Sequence, residues 1–284
     1  MINIIKTTSE LINFRKEISK EKTVGFVPTM GNLHQGHLSL IHMALEKNDF
    51  VFVSIFVNPI QFGPNEDYEK YPRTLQKDHD KILEILEILN SKSIETSRLA
   101  IFAPQNKEEI FPVGFSTSIN VAGVTERLCG RNRPGHFEGV TTVVYQLFKL
   151  VSPQFSYFGE KDYQQLMAIK KMVNDLDLPL EIISHPTVRD KDGLALSSRN
   201  QFLLSNERPL ALHLKRTLEN VKSYIVNNNH FDIHQLQSSG NWEYLEVLDG
   251  ETLQELTPLS NKVLIAGALK VGKTRLIDNI VVHR

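Results

Sequence analysis

The chain has 284 residues, 41% of them hydrophobic and 23% charged, with 32 Lys and Arg against 33 Asp and Glu for a formal charge of -1. That length suits one large or two modest globular domains, and so even a charge balance supplies no basic field for tRNA or DNA, so small molecules rather than nucleic acid are the expected partners. No apolar run approaches a signal peptide's core or a bilayer span, and the single cysteine, Cys129, can build neither an intrachain disulfide nor a cysteine-rich zinc site, so a cytoplasmic protein with no membrane partner is expected.

Taken in chain order, a helix over 9–21 comes first. Residues 24–27 read as a buried strand and 28–32 as a Pro/Gly loop. A helix follows, with Leu38, Ile41 and Leu45 at helical spacing. His34 and His37 stand one turn apart at its front edge, so both imidazoles share a face. Unpaired N–H groups and the positive end of the dipole favour phosphate there, and Gly36 leaves room for a base or sugar to approach the backbone. The run FVFVSIFV over 50–57 is apolar without alternation, as a strand covered on both faces is. Then come a loop over 58–65, a helix over 74–90, a polar patch over 91–98 and a strand over 99–102. A helix over 137–151 has Val140, Val144, Leu147 and Val151 on one face. Residues 155–158 read as a strand, 163–175 as a helix and 180–183 as a further strand. The sum is an α/β protein with a Rossmann-like doubly wound parallel sheet. Near Asp190 the character changes to a polar loop, a helix over 206–227 and a strand-rich end. A boundary near Ser184 therefore separates a first domain, 1–184, from a smaller C-terminal α+β domain, 185–284.

The unusual polar residues fall just after the expected strands: His34 and His37, then Asn58 and Gln61, then the GEKD of 159–162, then Val188 onward. In an open parallel sheet such loops converge on one crevice. Turn chemistry accounts for the Gly, Pro, Asn and Asp there, but has no need of His34, His37, Gln61, Lys161 or Gln165. The LSSR of 196–199 offers two hydroxyls and a guanidinium for phosphate oxygens, with Gly193 as a hinge; a solvated loop has the same composition. Cys129 stands near Arg131, Arg133 and His136, which favour a thiolate, yet a nucleophile also needs a base that sequence does not place. The stretch GALKVGKT, 267–274, satisfies the P-loop pattern. Its context does not, because the β-branched LIDNIVVH that follows reads as a strand and not as a helix.

The His-x-Gly-His pattern after a first strand resembles the signature of the nucleotidyltransferase superfamily, which includes the class I aminoacyl-tRNA synthetases. Together, PTMGNLHQGHLSL, SIFVNPIQFGPNEDYEKYPRT, RPGHFEGVTTVV, FGEKDYQQL, DGLALSSRN and KTRLIDN resemble the pantothenate synthetase family in its own order and over nearly the whole chain. LNSKSIETSR, 89–98, is longer than the family has there. The resemblance implies an enzyme that joins pantoate to β-alanine through a pantoyl adenylate, with ATP as substrate, Mg2+ on the polyphosphate, and a homodimer formed through the first domain. It implies catalytic roles for His37, His34 and Lys161. ATP contacts are implied for Met30, Gly31, Asn32, Leu33, His34, Gln35, Gly36, His37, Gly159, Glu160, Lys161, Asp162, Val188, Leu196, Ser197, Ser198 and Arg199. Gln61, Gln165 and Asn58 would hold pantoate and β-alanine; no metal ligand is assigned. Two other readings stay open. A nucleotidyltransferase acting on a phosphorylated acceptor would share the histidines but need more cation than Gln61 and Gln165 provide, and a nucleotide-binding regulatory module would catalyse nothing.

Overall fold

In the computed structural model, which describes residues 2–64, 66–90, 98–227, 232–238 and 240–284, the most apolar stretches of the chain become the central strands. The order is β1 (Asn3–Ile5), α1 (Thr8–Glu17), β2 (Val24–Thr29), α2 (Gln35–Lys47), β3 (Phe50–Ile55), α3 (Leu75–Asn90), β4 (Leu99–Phe102), α4 (Leu128–Asn132), α5 (His136–Val151), β5 (Phe155–Gly159), α6 (Tyr163–Asp175) and β6 (Glu181–His185). These six strands form one sheet, β1-β4-β3-β2-β5-β6, with each neighbouring pair parallel. Val24, Phe26, Val27, Val51, Phe52 and Val53 are all buried, which is why β2 and β3 carry no polar alternation. The chain winds outward from β2 through β3 to β4 on one side, and through β5 to β6 on the other. The order therefore reverses between β2 and β5, the place where an open α/β sheet opens a ligand crevice at the carboxyl ends of its strands.

Packing divides the chain into two units. The first comprises Met1–Val121, Gly135–Gly159 and Ile169–His185; the second comprises Ala122–Pro134, Glu160–Ala168 and Pro186–Arg284. In the first, Leu38, Ile41 and Leu45 of α2 pack with Val51 and Val53 of β3 and with Ile82 and Leu86 of α3. The second contains α7 (Arg208–Val226), α8 (Ile233–Gln237) and an antiparallel sheet of β7 (Trp242–Asp249), β8 (Lys262–Val271) and β9 (Thr274–His283). Ala211, Leu214, Leu218 and Val221 form one stripe of α7, buried with Val263, Ile265 and Leu269 of β8.

The α/β reading and the doubly wound parallel sheet hold, and the strand-rich end is the three-stranded sheet. GALKVGKT occupies the end of β8, a two-residue turn at Gly272 and Lys273, and the start of β9, since Val271 pairs with Thr274. No helix opens after it, so the phosphate-cradling geometry of a P-loop is absent. Three of these elements were not foreseen. β1 is three residues at the sheet's edge, and α4 and α8 are five residues each, all too short for periodicity to register. The expected helix over 9–21 runs instead from Thr8 to Glu17, opened by a capping box between Thr7 and Glu10. Of the polar patch over 91–98, residues 91–97 lie outside the described residues; Arg98 donates to the Asn48 carbonyl at 3.4 Å.

Candidate active site

In the first unit, the loop leaving β2 reaches α2 through two residues of positive φ, Gly31 (82°) and Asn32 (50°). A Cβ on Gly31 would lie 3.0 Å from both Asp78 Oδ2 and Ile55 Cγ2, so glycine is needed for space as well as for backbone sign. Asp78, on α3 and fully buried, accepts the N–H of Asn32 at 2.9 Å and of Leu33 at 2.7 Å, together with the Thr74 hydroxyl at 3.0 Å. Lys81, one turn further on, donates to the Leu33 carbonyl at 2.5 Å. Thr29 Oγ1 donates to the Ser54 carbonyl and accepts the Gly31 N–H. The loop is thereby held from α3 and β3 before any ligand enters.

His34 is the N-cap of α2 rather than a residue of its first turn. Its Nδ1 accepts the Gly36 N–H at 3.2 Å, and His37 Nδ1 accepts the His34 N–H at 3.3 Å. This is a capping box with imidazoles in place of the usual hydroxyl and carboxylate. It corrects the expectation that the first N–H groups of the helix are unpaired, since two of them are bonded to the rings. Because each Nδ1 is an acceptor, the neutral rings carry their proton on Nε2. The ring centroids are 4.1 Å apart, as the one-turn spacing requires.

Beyond β3, Asn58 caps a short turn, Pro59–Gln61. Its Nδ2 donates to Gln61 Oε1 (2.9 Å) and to the Gly139 carbonyl (3.1 Å). Gln61 Nε2 in turn points to Met30 Sδ at 3.3 Å, which brings the turn after β3 against the loop after β2. His136 Nδ1 bonds the Gln61 carbonyl at 2.9 Å and, facing a pure acceptor, must be the donor. Gly139 lets α5 come close: a Cβ there would sit 2.4 Å from the Ile60 carbonyl oxygen and 2.7 Å from Gln61 Cα. Gly159 ends β5, beside β2 in the sheet.

In the second unit, Glu160–Asp162 is a 3-10 turn opening α6. Lys161 Nζ lies 3.4 Å from Asp162 Oδ1, with the lysine 16% exposed. Of the two adjacent glutamines, Gln164 is buried and bonds the carbonyls of Val124 and Arg127 and the N–H of Cys129, whereas Gln165 is only half-buried. Tyr163, whose pKa burial pushes up, donates to the Gly250 carbonyl at 2.7 Å. Residues 188–196 form a small hairpin, with Leu196 N–H on the Val188 carbonyl and Arg189 bridged to Ala195. Ser197 then caps a 3-10 turn, Ser198–Phe202, by accepting the Arg199 N–H.

Cys129 is buried with its sulfur 3.1 Å from Tyr244 Oη and 3.4 Å from Arg275 Nη2. The guanidinium beside it is thus Arg275's, while Arg131 donates to Glu246 at 2.7 Å. Burial drives the Tyr244 pKa well upward, so that phenol is neutral and cannot act as the base a nucleophilic thiol needs.

The positioning roles of Asp78, Gly139 and His136 were not read from sequence, where His136 stood only as a neighbour of Cys129. Asp78 left a signal, for it falls on the apolar stripe of α3 with Leu75, Ile82, Leu86 and Leu89, where a carboxylate requires a buried partner. His136 left none, because its partner is a backbone carbonyl.

The chain matches the family model described as pantoate-beta-alanine ligase over residues 3–281. It is 43% identical to the pantothenate synthetase of Acetivibrio thermocellus, over 99% of this chain and 100% of that one, and 46% identical to that of Moorella thermoacetica, over 92% and 91%. The crystal structure of pantothenate synthetase from Thermus thermophilus superposes with a TM-score of 0.87 at 41% identity, over 98% and 99% of the two chains. That of the Francisella tularensis ligase complexed with beta-gamma ATP and beta-alanine gives 0.77 at 36%, over 99% and 98%. A capped histidine pair at the switch point of the sheet, and likeness from end to end, lead to one assignment: the chain belongs to the pantoate-beta-alanine ligase family.

Proposed function

We infer that the chain catalyses the ATP-dependent condensation of (R)-pantoate with β-alanine to pantothenate, releasing AMP and pyrophosphate. The observation that carries this reading is the N-terminus of α2, where two imidazoles are set 4.1 Å apart on a loop clamped by Asp78.

A carboxylate resists attack by an amine because it has no good leaving group, and adenylation supplies one. A pantoate carboxylate oxygen bonds to the α-phosphorus of ATP as the bond to the β-phosphate oxygen breaks, giving pantoyl adenylate and pyrophosphate. The amine of β-alanine then attacks the acyl carbon, AMP departs with the electrons of the cleaved C–O bond, and the amine loses a proton to solvent. Both steps develop negative charge on oxygen, so catalysis is mainly positioning and preset electrostatics. His34 and His37 present Nε2–H donors to the phosphates, since each Nδ1 is taken up as a cap acceptor. Lys161 bridges phosphate and pantoate carboxylate, offsetting their repulsion. Gln61, held by Asn58, and Gln165 take the hydroxyl and carboxylate groups of pantoate and β-alanine without adding charge. Met30 to His37, Glu160 and Leu196 line the nucleotide, Gly159 and Asp162 meet the ribose, Val188 the adenine, and Ser197, Ser198 and Arg199 the departing pyrophosphate. Mg2+ would be held mainly by the polyphosphate of ATP and would supply positive charge against its oxygens. The enzyme acts as a homodimer formed through the first domain, 1–184, in the cytoplasm. Among the described residues no helix is long and apolar enough to cross a membrane.

With ATP and pantoate but no β-alanine, the enzyme is expected to exchange labelled pyrophosphate into ATP, and omitting pantoate is expected to abolish the exchange. ADP and phosphate appearing instead of AMP would mean an acyl-phosphate route and would end the adenylate mechanism.

A further inference from the structure

The middle of β9, Asp278 and Asn279, belongs to the stretch KTRLIDN, which has no role in the reading above. Both side chains are nearly inaccessible, 3% and 7% exposed, and buried polar groups persist where partners satisfy them. Their partners are the two loops of the second unit to which nucleotide contacts are assigned. Asn279 Nδ2 donates to the carbonyls of Glu160 and Lys161, each at 2.9 Å. Asp278 receives both arms of the Arg189 guanidinium, at 2.6 and 2.9 Å, and the Asn279 N–H at 2.8 Å. Arg189 directly follows Val188 and also reaches the Gly193 carbonyl at the tip of the hairpin. An unbroken series of bonds therefore links that hairpin, through Arg189, Asp278 and Asn279, to the backbone of Lys161.

We propose that Asn279 is a positioning residue for adenylation, fixing the backbone from which Lys161 extends, with Asp278 tying that anchor to the hairpin that carries Val188 and leads into Leu196. The planar amide has two hydrogens on one nitrogen, one for each of two successive carbonyls, and so sets the orientation of the peptide plane between them. A lysine has four rotatable bonds, and its ammonium can be preset against a phosphate only if its own backbone is fixed. β9 is a firm base for this, being paired with β8 along its whole length. The inference rests on the role given to Lys161.

Pyrophosphate exchange is measured for Asn279→Ala, Lys161→Ala and the double variant, alongside pantothenate formation from chemically prepared pantoyl adenylate and β-alanine. Asn279→Ala is expected to slow exchange on the order of tenfold through kcat. The adenylate-fed reaction should keep its rate and its KM for β-alanine within about threefold, which general loss of structure would not allow. The double variant should exchange no more than about threefold more slowly than Lys161→Ala, because the amide acts through the lysine. Should alanine at 279 prevent folding, Asn279→Ser, whose hydroxyl cannot span two carbonyls, is read in the same way. Undiminished exchange in the variant at 279, equal losses in both half-reactions, or losses that multiply in the double variant overturn the proposal. Normal exchange by Lys161→Ala overturns the role of Lys161 instead, and a loss in Asn279→Ala alongside it shows the amide acting by another route, against the proposal.

Discussion

At the start of α2 each imidazole caps the backbone through Nδ1, and the proposed mechanism uses Nε2 of the same ring as the donor to substrate. Asparagine places its Oδ1 near the position of Nδ1, and glutamine places its Nε2 near that of the ring. His37→Ala is expected to lose about 1 kcal/mol of stability with the cap and roughly 10²-fold in kcat with the donor. Asparagine should recover the stability without the rate, and glutamine part of the rate. Thermal melts run beside kcat decide this, and an asparagine variant of undiminished kcat would show that Nε2 is not used. A second residue, Asp249 at the end of β7, gives a pH signature. Burial raises its pKa, but the Ser260 hydroxyl, the N–H groups of Thr252 and Glu251 and the Thr252 hydroxyl outweigh that and hold it at about 2, below the ordinary 3.8. A pKa lower in the folded than in the unfolded chain stabilises the fold above the unfolded value, and that stability is lost as pH falls from about 4 to about 2. The group is partly exposed, so solvent screening leaves about 1 kcal/mol. In urea unfolding at pH 5 and pH 2.5, wild type should lose about that much more than Asp249→Asn; equal losses would remove Asp249 from the account. At this scale the spacing made His34 and His37 legible as a pair one turn apart at the start of α2. The ring nitrogen roles were not legible, since spacing fixes which face a ring takes and not which atom bonds.

Elements were legible where a pattern lasts several turns. The stripes of α2 and α5 and the unbroken apolar run of β3 were all readable, and so was the failure of GALKVGKT as a P-loop, because β-branched residues follow it. What escaped was contact between elements. The bare backbone at Gly139 lets α5 meet the Pro59–Gln61 turn, and nothing in RPGHFEGVTTVV distinguishes that glycine from one in a flexible stretch. Gly139→Ala is expected to push the turn away or displace α5, at about 1–3 kcal/mol of stability. Since Gln61 and Asn58 ride on that turn, KM for pantoate should rise more than KM for ATP. Equal changes in the two constants would indicate a general loosening rather than a shift of the turn.

At the scale of the whole molecule, each unit is assembled from three separate stretches of chain. A boundary read along the sequence, such as one after Ser184, divides it into consecutive pieces, and packing does not follow that order. Each unit must also close over long distances along the chain. Ser156 and Phe26, whose bond joins β5 to β2 in the first, are 130 residues apart, and Asn279 and Lys161 in the second are 118 apart. Contacts between distant residues form late, because the intervening chain must lose its freedom before they return any energy. Diluted from denaturant, the protein should therefore regain helical circular dichroism before it regains pyrophosphate exchange. The chain supplies its own probe of the interval: its one tryptophan, Trp242, is in β7 of the second unit. Trp242 emission should recover in step with activity and behind the helical signal, and a single rate for all three would show that the two units fold as one.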